Sequence, residues 1–376
     1  MRPVYIAGIG QTSIAEHWDK TAQDLAYDAA QQALHGYTGP IGAIYVANAL
    51  SAALGNQSNL APAVAASLGL RGVETLTIEA GGMAIRQAQL AVAAGVVDAV
   101  LVVGVEKVTD VLDERREAAL ALSMDADWEA FHGVTVTAQW AMVMRSYMHT
   151  YALGAAAFAP FPVNAHANGV NNKQALYRFP ISADKYQSAA AVAAPIGLLD
   201  CATEADGAAA VLISATPPAA GAVIRIAGSA VASDSVALHS RPDLLTLNAV
   251  TLSFERAMAQ AGIERSDVDV FDVTDPHAIA AILALEAMGY AATGTGYLLG
   301  STGAIRPDGG VPLALGGGCK ARGNLLGALG VLQIVELSQQ LQGTAPTQVA
   351  DARIALAQCM TGIGSTVATH ILVRDA

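Results

Sequence analysis

Three thiols, two glycine-rich turns and a carboxylate carry most of the chemistry this sequence can offer. Cys359 stands in Cys359-Met-Thr-Gly-Ile-Gly364, beside a turn of small residues. A thiol there either packs as a small apolar group or faces a cleft as an acid/base group or substitute nucleophile. Cys319 lies next to Lys320 in a loop that carries Gly316, Gly317, Gly318, Gly323, Gly327 and Gly330. A neighbouring ammonium lowers a thiol's pKa, whereas core packing leaves the thiol inert. Cys201, after Asp200, reads as a buried loop residue. The cysteines are odd in number and far apart, so they make neither a zinc-ligand spacing nor a disulfide framework, and no metal is expected. The glycines lack the Lys-Ser/Thr pair of a phosphate loop and the spacing of a dinucleotide fingerprint. They read instead as room for close backbone approach. In Ile78-Glu79-Ala80-Gly81-Gly82 the two glycines open a helix, whose N-terminus offers unpaired N–H groups and the positive end of its dipole. Glu79 is either a solvated cap there or a carboxylate base.

These groups need a scaffold, and the apolar periodicity supplies one. Residues 4–10 (VYIAGIG) read as a buried strand. Residues 21–34 carry Leu25, Ala26, Ala29, Ala30, Ala33 and Leu34 near helical period. Strands follow at 44–47, 74–78 and 99–104, with helices at 59–68 and 83–94 between them. Such alternation predicts an α/β protein with a mostly parallel sheet covered by helices. From 110 to 199 the periodicity fails. This stretch holds most of the aromatics, His132, His149, His166 and an Asn-rich run at 164–172, and reads as a functional lid or binding insertion. A loop and buried strand close it at 200–214, and 216–221 (TPPAAG) reads as a linker. The order then recurs: 223–230 echoes the first strand, 246–261 the first helix and 268–273 the second strand. Glycines open a helix at 325–341, and 366–374 is the last strand. The repetition predicts two duplicated halves, 1–215 and 222–376.

Composition narrows the function classes. Twenty Lys and Arg against 32 Asp and Glu give a net charge of −12, which disfavours coating nucleic acid or an anionic membrane. The longest apolar stretch, 88–105, is broken by Gly95 and Asp98 and falls short of a membrane span of about 20 residues. The N-terminal residues run straight into a strand without a signal peptide's regions, so the expected location is cytoplasmic. The 53% hydrophobic content then implies deeply buried sheets, a large subunit interface, or both.

Several stretches in co-linear order resemble the thiolase superfamily, most closely its archaeal and sterol-carrier-protein types. They are IEAGGMAIRQAQLAVAAGVVDAVLVVGVEKVTD (78–110), FHGV (131–134), LLDCATEADGAAAVLI (198–213), LALEAMG (283–289), GGGCKARGNLLGALGVLQIVEL (316–337) and GIGSTVATHIL (362–372). The resemblance implies a five-layer αβαβα fold of two like halves, with 110–199 as a loop domain over an acyl-CoA site. It implies a homodimer or homotetramer, and no cofactor beyond a coenzyme A thioester as substrate or ligand. Partners implied are a second thiolase-fold enzyme and a small zinc-ribbon/OB-fold acyl-CoA-binding protein.

The family chemistry uses a nucleophilic Cys at a helix N-terminus, a His in G-H-P, a second Cys in C-x-G, and an N-E-A-F or H-D-A-F motif. Around Ile78–Gly82 the nucleophile segment is about four residues short, and no Cys precedes Cys201. Asn324 stands at the G-H-P histidine, where it can donate to an oxyanion but cannot take a proton near neutral pH. Thr274 stands at the His or Asn of the fourth motif, and His277 in place of its Phe. Cys359 matches the C-x-G cysteine, with Thr361 for the first glycine and Gly362 next. The resemblance therefore assigns catalytic roles to Cys359, Asn324 and His277. It places His132, Glu79, Gly81, Gly82, Thr274 and Gly362 at the substrate, with the glycine loop near a pantetheine arm. Three functions remain open: non-covalent C–C bond formation or cleavage on a CoA thioester, a non-catalytic subunit of an acyl-CoA complex, and ordinary thiolase turnover through Cys359 alone.

Overall fold

The computed structural model describes residues 2–375. Its main sheet is built from β1 (Tyr5–Gln11), β2 (Ala43–Ala47), β3 (Glu74–Ile78), β4 (Ala99–Glu106), β5 (Gly207–Ser214), β6 (Ile224–Ser233), β7 (Val270–Val273), β8 (Ile354–Thr361) and β9 (Thr366–Arg374). They lie in the order β3-β2-β4-β5-β1-β6-β9-β8-β7. β4 and β5 are buried along their whole length, which is why they read as unbroken apolar runs rather than alternating ones.

The strand pairings repeat, and five of the eight are antiparallel, so the sheet is not the mostly parallel one that the alternation predicts. β1 pairs antiparallel with β5, β5 antiparallel with β4, β4 parallel with β2, and β2 parallel with β3. In the second half β6 pairs antiparallel with β9, β9 antiparallel with β8, and β8 parallel with β7. A lone parallel bridge from Phe271 to Leu313 takes the place of a final strand. The two sets join through β1 and β6, at Tyr5–Arg225 and Ile6–Ile224.

Four helices complete the layers. α1 (Ala22–Ala33) starts at a capping box, in which Thr21 and Asp24 satisfy each other's backbone N–H groups, and buries Leu25, Ala26, Ala29, Ala30 and Ala33. It covers β1, β4 and β5 from outside, as α3 (Asn248–Ala261) covers β6 and β9. α2 (Gly81–Ala93) and α4 (Leu329–Gln342) lie between the two halves of the sheet: α4 packs on β4 and β5 on one side and on β7 and β8 on the other. The result is helix, sheet, central helices, sheet, helix. α4 begins four residues later than the sequence pattern places it, because Leu326 takes a left-handed φ of 45° and a tight turn at Leu326–Ala328 intervenes.

The aperiodic stretch contains helices after all, at Asp113–Leu120, Val136–Thr150 and Pro160–Gly169. Buried polar residues hide their period. Gln139 is buried to donate to Glu129 Oε2 at 2.8 Å. Asn164 donates to the carbonyls of Ile305 and Leu313, Asn168 to those of Leu313 and Ala314, and Asn172 to that of Gly316 at 2.9 Å. The asparagine run thus ties the insertion to the chain entering the glycine loop. No helix among the described residues is long and apolar enough to cross a membrane.

Candidate functional site

α2 and α4 meet at their N-termini, and only glycine allows the meeting. A Cβ on Gly330 would lie 2.2 Å from the Gly82 nitrogen, and one on Gly81 would lie 2.6 Å from the Val331 nitrogen. Two positive helix ends therefore converge on one spot. The side chain that fills the spot comes from β8. Cys359 is buried there, its Cβ 2.9 Å from where a Cβ on Gly82 would be. The N–H groups of Gly82 and Gly330 and the Thr274 hydroxyl are turned to its sulfur and favour the thiolate, yet burial outweighs them and pushes the thiol up to about 11. None of those groups accepts a proton at neutral pH. The space bounded by Ala80, Gly82, Met83, Cys359, Thr361, Thr366 and Ala368 is too small for a water molecule. α2 itself supplies no thiol: its N-cap is Ala80.

Thr274 pins the neighbouring strand end. Its hydroxyl accepts from the Met360 N–H at 3.0 Å and donates to the Gln358 carbonyl at 3.3 Å. Gly362 turns β8 into β9 with a φ of 53°, and a Cβ there would lie 2.9 Å from the Ser123 carbonyl of the insertion. The first turn of α2 is held from below by His370 on β9. Its Nε2 meets the Gly82 carbonyl and its Nδ1 the Ser229 hydroxyl, each at 3.0 Å. Burial lowers the His370 pKa to about 4, so the ring stays neutral.

Asn324 lies on the loop that leads into α4. Its Oδ1 accepts the Leu326 N–H at 3.1 Å, which supports the left-handed backbone at Leu326. The next N–H, from Gly327, goes to Glu106 Oε1 at 3.2 Å. Glu106 ends β4 and is fully buried. It also takes the Ala49 N–H and Asn48 Nδ2, and burial pushes its carboxyl up to about 8. Sequence reasoning missed Glu106 and His370; the available signal was a titratable residue within a largely apolar strand.

His277 is turned away from Cys359's pocket. It is the residue before the helix Ala278–Ala287, its Nδ1 lies 3.2 Å from the Asp200 carbonyl, and burial with the Lys320 charge lowers it to about 3. Lys320 donates to the carbonyls of Asp200 and Asp275 at 2.7 and 3.2 Å. Asp275 accepts the Cys319 N–H at 2.6 Å, and burial together with that carboxylate raises the Cys319 thiol well above its ordinary value. The activating-cation role open to Cys319 in the sequence is therefore closed: its neighbour's ammonium is spent on carbonyls. Arg322 is buried between Asp272, at 2.9 Å, and Glu336. Cys201, half-buried, points its sulfur at the Gly197 carbonyl at 3.6 Å and is pushed up to about 11 by burial.

The structure thus brings Cys359, Thr274, Gly81 and Gly82 together, with Gly362 at the adjoining turn and Asn324 on the neighbouring loop. It does not bring in two others. Glu79 is exposed at the end of edge strand β3, and His132 is exposed in the turn Ala130–His132, edge-on to Phe131 at 5.4 Å. Among the described residues no group of three or more His, Cys, Asp or Glu converges as a metal site would require.

Comparison with known proteins agrees with this architecture. Residues 230–374 match the family described as thiolase C-terminal domain-like. The acetyl-CoA acetyltransferase of Methanothermobacter thermautotrophicus is 34% identical over the whole of both chains. The 17-hydroxy-3-oxo-4-pregnene-20-carboxyl-CoA lyase of Mycobacterium tuberculosis is 27% identical, over 95% of this chain and 96% of its own. Among solved structures, the Ltp2-ChsH2(DUF35) aldolase superposes with a TM-score of 0.86 at 23% identity, covering 99% of this chain and 98% of its own.

Proposed function

Because this chain belongs to the thiolase superfamily, we propose that it binds an acyl-CoA thioester and makes or breaks a carbon–carbon bond on it without acylating a cysteine. The observation that carries this reading is the N-terminus of α2. No thiol belongs to that helix, and the thiol that reaches it from β8, Cys359, is held protonated by burial. A relative named as a CoA lyase supports the direction of the chemistry.

In this reading the Asn324 amide stabilises an enolate oxygen. Cys359, protonated at neutral pH, is not a nucleophile and acts at most as an auxiliary proton donor. His277 and His132 drop out: the first is neutral and engaged with Asp200, the second lies in solvent. The unpaired edge of β3 supports a homodimer or homotetramer. When the protein is incubated with acetyl-CoA in D2O, exchange of the α-hydrogens is expected, and Cys359→Ala should keep at least about a tenth of the rate. Complete loss of exchange in that variant would favour ordinary turnover through the sulfur.

The sealed space at Cys359 favours a second reading, a non-catalytic subunit that assembles with a second thiolase-fold enzyme and a zinc-ribbon/OB-fold acyl-CoA-binding protein. It predicts no exchange by the isolated chain and co-purification with a partner.

A further inference from the structure

Glu204 carries a carboxyl that no ion pair absorbs. Asp206, two residues on, is taken by Lys107, Thr109 and the N–H groups of His17 and Val108. Glu204 is fixed differently, through its backbone. The Asn324 N–H donates to the Thr203 carbonyl at 2.9 Å and the Ala205 N–H to the Asn324 carbonyl at 3.3 Å, so Glu204 and Asn324 run side by side as a parallel bridge. The Tyr177 hydroxyl meets that of Thr203 at 3.2 Å and steadies the same strip. Bridged neighbours present their side chains to the same face, and the Asn324 Oδ1 is occupied by the Leu326 N–H. A primary amide also has two N–H bonds to offer a ligand.

The insertion closes over this strip. Its helix Asp113–Leu120 brings Glu117 and Arg116 toward Glu204, with Arg116 itself paired to Asp113 at 2.7 Å. Glu204 is half-buried beneath the insertion, neither sealed nor fully in solvent. Burial and the Glu117 charge raise its pKa from the ordinary carboxyl value, against Arg116 and Asn324. A carboxyl so raised both accepts and returns a proton closer to neutral pH.

We propose that Glu204 is a catalytic carboxylate of this site, moving the α-hydrogen of a bound acyl thioester while the free N–H of Asn324 holds the thioester oxygen. The assignment rests on the non-covalent reading above. In the forward direction the Cα–H bond breaks and its proton goes to a Glu204 oxygen. The bonding pair moves into the Cα–C bond, and the carbonyl becomes an enolate held by Asn324. The enolate carbon attacks an aldehyde or ketone, whose oxygen takes the proton back from Glu204 to become a hydroxyl. Cleavage is the same sequence reversed, with the carboxylate regenerated in either direction.

The test is α-hydrogen exchange of acetyl-CoA in D2O, read by mass spectrometry alongside acetyl-CoA binding by calorimetry. Glu204→Gln, which keeps the size of the side chain but cannot take the proton, is expected to slow exchange by about 100-fold with binding unchanged. Exchange within about threefold of wild type in that variant overturns the assignment and leaves the reading beneath it standing. If Glu204→Gln does not fold, Glu204→Asp decides: a carboxyl withdrawn by one methylene is expected to lose about tenfold, and an unchanged rate overturns the assignment. Wild-type protein that exchanges nothing, or that carries an acyl-cysteine, overturns the underlying reading and this assignment with it.

Discussion

The sulfur side and the carboxyl side of the site differ in what each can do with a proton. Cys359 sits in a dry space under two helix ends, and its thiol is held at about 11. Across the loop, Glu204 is half-buried, and burial with the Glu117 charge raises its pKa from the ordinary carboxyl value. Positive helix ends alone do not make a nucleophile. Desolvation has the larger effect where no base shares the pocket. Partial burial shifts a carboxyl toward acid and base work, which is the basis for proposing proton transfer without covalent capture.

The largest expected effect falls on the buried charge beneath both sides. Arg322→Met leaves Asp272 and Glu336 buried without their cation and is expected to cost about 3–5 kcal/mol of unfolding free energy, measured by urea denaturation. A loss below about 1 kcal/mol would mean that the two acids are already neutral.

Next comes the anchor of the carboxyl side. Burial keeps a proton on Glu106 up to about pH 8, whereas an unfolded chain loses it near 4.5. The group's contribution is fully present below that lower value and fades as pH rises toward the upper one. Glu106→Gln has no proton to lose. It should gain on wild type between pH 5 and pH 8, by about 3 kcal/mol in melting experiments at matched pH. A constant difference across that range would show that Glu106 ionises normally.

Gly330→Ala tests the sulfur side. The added methyl must push apart two helix backbones, at an expected cost of about 1–3 kcal/mol, and should open the pocket enough for Cys359 to be alkylated. An unchanged melting temperature would mean that the helix ends do not touch in solution. The smallest effect is on wild type. Iodoacetamide at pH 7 should leave Cys359 and Cys319 unmodified by peptide mapping, since both are buried thiols raised by desolvation.

Much of the fold is legible in the sequence because its central strands are apolar on both faces: AVLVVG at 99–104 and VLIS at 211–214 admit few other readings. The duplication is faint residue by residue yet plain in the pairings, since sheet order depends on apolar pattern more than on residue identity. The insertion's helices were hidden by Gln139, Asn164 and Asn168, whose buried amides serve distant carbonyls. The meeting of Cys359 with the glycines of α2 was legible because both lie in the matched motifs. His277 and His132 were not, because ring orientation and exposure depend on contacts such as the Asp200 carbonyl, 77 residues away. Glu204 escaped notice because its meaning lies in the bridge to Asn324, which no spacing encodes.

The most direct test of the central claim is the mass of the intact protein, quenched during turnover of acetyl-CoA. The account predicts deuterium entering acetyl-CoA while the polypeptide mass stays that of the free chain. A stoichiometric acetyl adduct that maps to Cys359 would contradict it.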